Sequence, residues 1–506
     1  MKNRIRILAT SDLHGYIYPY GYADKKELNQ GMAKVHTLIS SLRDENTIVI
    51  DNGDVLEGSP LSFYHYLTNA NGISPMTKAM NTIDYDFVNV GNHDFNYGRT
   101  ALMTHLDNLT APCITSNATY KQRPLGPTYV IEQVAGKKVA IFGLVTQFTP
   151  KWEERENTKD MHFKGAYNTA VKTVELLKRL ERPDYIICVY HGGFERDIET
   201  GIPTGDLTRE NEGYKILREI PGIDVLIAGH QHKPMCGTAF NTTYVQPSSN
   251  GQSVACIDIY TDTKSIEPML LECDMEASKE VMARCFDEEI ACQTWLDETL
   301  GRTSMDLTVE DPLTARLNKS QLVTFFNRAL KDATHADLCA SNLFSNVKGF
   351  KADITMRDVV TACVHPNTIV VKKINGKVLR EYLEKNAEFF TIEHEYITVS
   401  PWYNDPKPKL YNYDMIDGIE YTIKVSNDIG TRIVELTYNG NEVTDDMEFT
   451  IALNNYRALG GGGFNMLKKL PYVERTGATM VDLLSNYIKK EKNISFEPVH
   501  NIHVIR

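Results

Sequence analysis

Ile5-Arg6-Ile7-Leu8-Ala9-Thr10-Ser11-Asp12-Leu13-His14 reads as a short apolar strand that runs straight into a carboxylate and an imidazole two residues apart. An extended or turning backbone aims two such side chains at one point, and mixed oxygen and nitrogen donors are metal-ligand chemistry. The pattern recurs along the chain. Apolar runs at 47–50, 87–90, 139–144, 185–189 and 225–228 each end where polar residues begin, as buried strands do.

The residues beyond those strand ends carry the functional reading. Ile50-Asp51-Asn52-Gly53-Asp54 closes the second strand with a turn glycine and places Asp54 at the ligand-facing edge, where one carboxylate can bridge two metals. The third opens into Gly91-Asn92-His93-Asp94, the fifth into His191-Gly192-Gly193, and the sixth into Gly229-His230-Gln231-His232. Each motif alone has a bland explanation as a surface turn or a hydrogen-bonded loop histidine. Five of them in order, each after a buried strand, point to a dimetal centre.

Helix-period segments such as 33–43 and 167–180 lie between the strands, which predicts layered α/β architecture. A length of 506 residues exceeds one ordinary core, and the pattern divides into residues 1–275, a charge-rich amphipathic linker helix over 276–300, and a second α/β domain over 301–506. Neither an internal repeat nor a low-complexity tract is visible, and the one unusual composition is the Gly460–Gly463 run.

Composition narrows the function classes. Sixty-six acidic against 54 basic residues leave a formal charge of −12, which argues against a polymeric nucleic acid as substrate. No continuous apolar run reaches the length of a membrane span, so no membrane partner is expected. Nine scattered cysteines without a CxxC spacing read as reduced thiols. Cleavage of the N-terminus as a signal peptide would remove the first candidate ligands, so a cytoplasmic address is the expectation.

The five blocks resemble the calcineurin-like metallophosphoesterase superfamily, whose DxH, GD, GNH(D/E), H and GHxH pattern is matched in full. The second half narrows the likeness to the 5'-nucleotidase family, through Gly53–Pro60, His93–Gly98, His365–Thr368, Asn412-Tyr413 with Asp414–Gly418, and Asn455-Tyr456-Arg457 ahead of the glycine run. This resemblance implies a four-layer αββα sandwich, then a linker helix and a second α/β substrate-binding domain. It also implies that Asp12, His14 and His232 hold one divalent cation, that Asn92, His191 and His230 hold another, and that Asp54 is shared. Such ligands suit manganese, iron, cobalt or zinc.

By the same resemblance His93 is the catalytic imidazole, stabilising charge on the phosphoryl group or protonating the departing oxygen. Tyr413 and Tyr456 are expected to sandwich the base, with Gly460 and Gly461 bringing backbone amides close and Asn342 near the substrate. Three departures from the 5'-nucleotidase pattern matter. Asn96 stands where an aspartate would orient His93, and its amide can still hold the ring by a hydrogen bond but is expected to leave the imidazole's pKa lower than an aspartate would; Gly462 replaces an aspartate; and Ala340–Ser345 lacks the expected glycine run and arginine. Asn96-Tyr97-Gly98 resembles the branch acting as 2',3'-cyclic-nucleotide phosphodiesterase and 3'-nucleotidase. A 5'-nucleotidase or nucleotide-sugar hydrolase is the rival, and a catalytically silent nucleotide-binding protein a third reading. Oligomeric state, base preference and metal identity stay open.

Overall fold

Ile5, Ile7 and Ala9 alternate on one face of the strand Arg4–Thr10 and are fully buried, and Leu8 on the other face is buried as well. A strand covered on both faces reads as an almost continuous apolar run, and this one is central in its sheet. It pairs in parallel with Thr47–Asp51 (Ile7 opposite Ile48) and antiparallel with Ser253–Tyr260 (Ile7 opposite Ile257). The computed structural model describes residues 4–345, 347–365, 367–404 and 408–506. Within them the chain forms two compact units, Met1–Cys292 and Gln293–Arg506.

The first unit contains two facing sheets. One has the order Ser265–Glu272, Ser253–Tyr260, Arg4–Thr10, Thr47–Asp51, Phe87–Val88; the other runs Met235–Ala239, Thr242–Gln246, Val225–Ala228, Tyr185–His191, Lys137–Val145, Val130–Val134. Ile7, Ile48 and Ile257 of the first sheet share one buried cluster with Ile141, Ile187 and Ile227 of the second, so the main core lies between the sheets. The outer face of the second sheet is covered by helices Ala166–Leu180 and Gly213–Glu219. Helices Met32–Leu42 and Pro75–Ile83 pack together beside the first. The layers are therefore αββα, and the parallel strands deliver their C-terminal ends to one edge.

The stretch 276–300 forms two successive helices, Lys279–Arg284 and Phe286–Leu296, in place of one, and the strand Thr299–Thr303 begins before it ends. Ser278 caps the first of these and its backbone N–H donates to Ala33 O at 2.9 Å, tying that helix to the first unit. The second unit is built on a sheet of order Met415–Asp417, Leu338–Ser341, Glu448–Asn454, Thr368–Asn375, Tyr472–Thr479. Helices Gln321–Thr334 and Met480–Glu491 cover it, the latter opened by a reciprocal capping box between Thr479 and Asp482. Of the His365–Thr368 segment, Pro366 lies outside the described residues.

Candidate metal centre

All seven expected ligands sit at the same edge of the sandwich. Asp12 follows the strand Arg4–Thr10, Asp54 follows Thr47–Asp51, Asn92 follows Phe87–Val88, His191 ends Tyr185–His191, and His230 and His232 follow Val225–Ala228. Five of them, Asp12, His14, Asp54, His230 and His232, have left-handed backbone with φ between 49° and 72°. Aspartate and histidine tolerate that region far better than β-branched residues, so the residue types serve ligation and turn geometry together. Gly53 at φ 86° makes the sharpest turn, because a Cβ there would stand 2.2 Å from Gly91 N.

The ligand atoms fall into two groups. Those of Asp12, His14 and His232 lie within 4.8 Å of one another, as do those of Asp54, His191 and His230. Among the described residues, nothing bonds to the buried Oδ1 of Asn92. Within the same set Asp54 Oδ2 and His191 Nε2 also lack a hydrogen-bond partner, although only 3.0 Å separates them. His191 Nδ1 donates to Asn52 O at 2.6 Å, which leaves Nε2 as the ring nitrogen facing Asp54; burial lowers the imidazole's pKa, but Asp54 and Asp12 outweigh it and raise it to about 9, so a cation bound there would take the place of the Nε2 proton. His14 repeats the arrangement: Nδ1 donates to Glu57 O at 2.8 Å while Nε2 faces His232 Nε2 at 2.9 Å. Ring nitrogens and carboxylate oxygens facing one another at such distances across a buried space fit a cation between them, and the donor set satisfies that requirement.

The carboxylates are ionised for this task. Burial would raise Asp12, but the imidazoles of His232, His191 and His14 hold its carboxyl well below the ordinary range, and Asp54 is lowered against its own burial by His191, His93 and His14. Asp94 pins the turn itself, accepting N–H groups from Asp54, Val55, Leu56 and Gly91 at 2.8–3.0 Å. Glu210, which carried no sequence signal, accepts from His230 Nε2 at 3.0 Å.

His93 lies beside the ligands, its backbone N–H donating to Asp54 Oδ1 at 2.6 Å. Its Nδ1 meets Asn96 Oδ1 at 2.7 Å, as the sequence led us to expect. Burial pulls its pKa down, but Asp54 and Glu57 outweigh that and raise it to about 10. Glu57, fully buried, brings Oε2 within 3.2 Å of His93 Nδ1, so the carboxylate absent at position 96 arrives from the loop after the second strand.

In the second unit the structure corrects one assignment. Tyr413 is fully buried, stacked on Phe389 at 5.0 Å and packed edge-on against Phe390, so its faces are not open to a base. Tyr411 is the half-buried ring, 6.4 Å from Tyr456 and 5.7 Å from Phe344. Residues Leu410–Asn412 form a 3-10 turn, so two tyrosines two apart do not share a face as they would in a strand. Gly461 is where Tyr456 packs on backbone, since a Cβ there would stand 2.5 Å from the ring. Gly460, at φ 90°, ends the helix Asn455–Ala458, its N–H donating to Arg457 O at 2.9 Å. At Gly462 a side chain would meet Asn412 Oδ1 at 2.4 Å and Arg457 Nη1 at 2.5 Å, which explains why no aspartate stands there. Asn342 donates to Asp414 Oδ1 at 3.0 Å.

Two family models match separate stretches of the chain. The calcineurin-like phosphoesterase family matches residues 5–234, and the 5'-nucleotidase C-terminal domain matches residues 300–469. A Staphylococcus aureus protein assigned to the 5'-nucleotidases, crystallised in complex with alpha-ketoglutarate, superposes with a TM-score of 0.93 at 31% identity over 99% of this chain and 100% of its own. The 2',3'-cyclic-nucleotide 2'-phosphodiesterase/3'-nucleotidase of Salmonella typhimurium is 26% identical over 90% of this chain and 81% of its own. The trifunctional nucleotide phosphoesterase protein YfkN of Bacillus subtilis is 24% identical over 97% of this chain, which spans only 38% of that protein.

Proposed function

The chain belongs to the 5'-nucleotidase family of metallophosphoesterases, and from that premise we propose that it hydrolyses 2',3'-cyclic nucleotides and 3'-nucleotides. The observation that carries the reading is the paired ligand groups with His93 held between Asn96 and Glu57 beside them. Likeness to the Salmonella enzyme over most of both chains supports the branch. The 31% identity to the Staphylococcus protein favours the second reading, a 5'-nucleotidase.

Asp12, His14 and His232 would hold one divalent cation, and Asn92, His191 and His230 another, with Asp54 shared. When bound, such a pair polarises phosphoryl oxygens and makes a water-derived nucleophile accessible at neutral pH. His93 serves as the charged donor, stabilising the phosphoryl oxygens and giving a proton to the leaving ribose oxygen. Nδ1 stays hydrogen-bonded to Asn96 and beside the Glu57 carboxylate throughout, so the proton leaves from Nε2. Asp94 and the Asn52 carbonyl keep the ligand loops and the His191 ring in place. The base is taken by Tyr411 and Tyr456, and stacking of this kind accepts any base.

The test is phosphate release from 2',3'-cyclic AMP (with added phosphatase), 3'-AMP and 5'-AMP, with manganese, iron, cobalt or zinc supplied in turn. Turnover of the first two substrates, with 5'-AMP slower, supports the proposal; activity confined to 5'-AMP places the chain with the 5'-nucleotidases. Silence on all three sinks both. Chelation is expected to abolish turnover and to lower the melting temperature, since a ligand at about a thousand times its Kd adds roughly 4 kcal/mol to the native state. An unchanged melting curve on metal removal would count against the centre.

The tyrosine correction makes a separate forecast. Tyr411→Ala should raise KM for nucleotides by about 5- to 150-fold, corresponding to roughly 1–3 kcal/mol of stacking, with the melting temperature little changed. Tyr413→Ala should instead destabilise by about 3–5 kcal/mol as a core truncation. Its hydroxyl is buried without a hydrogen-bond partner among the described residues, so Tyr413→Phe should be neutral in both assays. Equal KM effects at the two positions would refute the distinction.

A further inference from the structure

Asn96 has an amide with two unlike ends, and the structure uses both. Its Oδ1 faces His93 Nδ1 at 2.7 Å, while its Nδ2 donates to Glu153 Oε1. Glu153 is buried and follows directly on the short helix Thr149–Trp152, its backbone N–H donating to Thr149 O at 3.2 Å. Asn157 completes the arrangement, with Nδ2 lying 3.1 Å from Glu153 Oε2 and 2.9 Å from Asn96 O.

An asparagine is a weaker device than an aspartate for orienting a histidine, because it can turn over. Rotated by half a turn, the Asn96 amide would present N–H groups to the Nδ1–H of His93, two donors in opposition. Glu153 disfavours that orientation, since its Oε1 accepts from the Nδ2 end of the amide while its Oε2 accepts from Asn157 Nδ2. A carboxylate one residue further from the imidazole than in the aspartate version thus fixes the ring through an intervening amide.

We propose that Glu153 is a positioning residue for the reaction, locking the Asn96 amide so that its oxygen holds His93 Nδ1 in a His93–Asn96–Glu153 relay. The inference rests on the role of His93 stated above and names the residue that makes Asn96 workable there. Nothing in the sequence near position 96 points to Glu153, which lies 57 residues away.

The test is a pair of substitutions read in two backgrounds. Glu153→Met keeps the volume but removes the acceptor, and should lower kcat by about 10-fold or more with KM and bound metal unchanged. Glu153→Gln retains an amide oxygen that can accept from Asn96 and should keep kcat within about 3-fold. In an Asn96→Asp background the sign reverses: the introduced carboxylate holds His93 directly and is repelled by Glu153, so adding Glu153→Met should raise kcat. A residue that merely braces the fold would lower activity in both backgrounds, and that outcome overturns the proposal. The hydrogen-bonded Nδ1–H proton resonance of His93, assigned by its loss in His93→Asn, should persist in Glu153→Gln and broaden in Glu153→Met. Should His93→Asn leave kcat unchanged, the reading of His93 falls; should His93→Asn be inactive while Glu153→Met is fully active, only the relay falls.

Discussion

Asp54→Ala is expected to strip the centre of metal and to cost more activity than the roughly 10- to 100-fold typical of losing an outer partner of a metal ligand. Asp54 turns Oδ2 toward His191 Nε2 while Oδ1 accepts the N–H of His93 at 2.6 Å, so it joins the second ligand group to the catalytic imidazole. Its backbone oxygen also accepts from His14 N at 2.8 Å, which ties it to the first group. Alanine keeps that backbone link and removes both carboxylate contacts. Elemental analysis of the purified variant should show metal lost alongside turnover, and Asp54→Asn, which retains one oxygen, should fall between. Full metal content in Asp54→Ala would mean that Asp54 is not a shared ligand.

Arg457→Met is expected to destabilise the protein by about 3–5 kcal/mol, because it leaves a buried carboxylate uncompensated. Arg457 and Asp414 are both almost wholly inaccessible, and the guanidinium lies over the Phe464 ring at 4.0 Å. Its Nε donates to Asp414 Oδ2 at 2.5 Å, Nη2 to Tyr411 O at 3.0 Å and Nη1 to Gly461 O at 2.6 Å. One side chain thus ties the turn carrying Tyr411 to the glycine run that supports Tyr456. Adding Asp414→Asn to Arg457→Met should recover part of the loss, since the residual charge is then gone. Denaturant unfolding of the four proteins measures this; additive losses would show that the pair is not the source of the cost.

The first unit was legible because its chemistry dictates residue type and place together. Asp12, Asp54, Asn92, His191, His230 and His232 each had to be a donor at the end of a buried strand, and both requirements are local in sequence. The capping of the helix Pro60–Asn69 by Ser59, with Pro60 in its first turn, was likewise written in Gly58-Ser59-Pro60. What could not be read were contacts made across the chain. Glu57 reaching His93 and Glu153 reaching Asn96 depend on the paths of loops, which periodicity does not report. The family resemblance pointed to Tyr413, whereas the 3-10 turn over Leu410–Asn412 leaves Tyr411 as the half-buried ring, and motif matching does not report that turn. Gly462 departs from the family pattern for a spatial reason, since Arg457 and Asn412, 5 and 50 residues away in sequence, occupy the space its side chain would need.

The left-handed backbone at Asp12, His14, Asp54, His230 and His232 bears on how this centre could be gained or lost in evolution. Such conformations cost on the order of 1–2 kcal/mol for each residue other than glycine. A ligand exchanged for glycine therefore relieves strain at the position where chemistry is lost, which offsets part of the stability that goes with the metal. A lineage released from selection for activity would therefore meet least resistance to glycine at these five turns, where the backbone already has the conformation that glycine adopts freely.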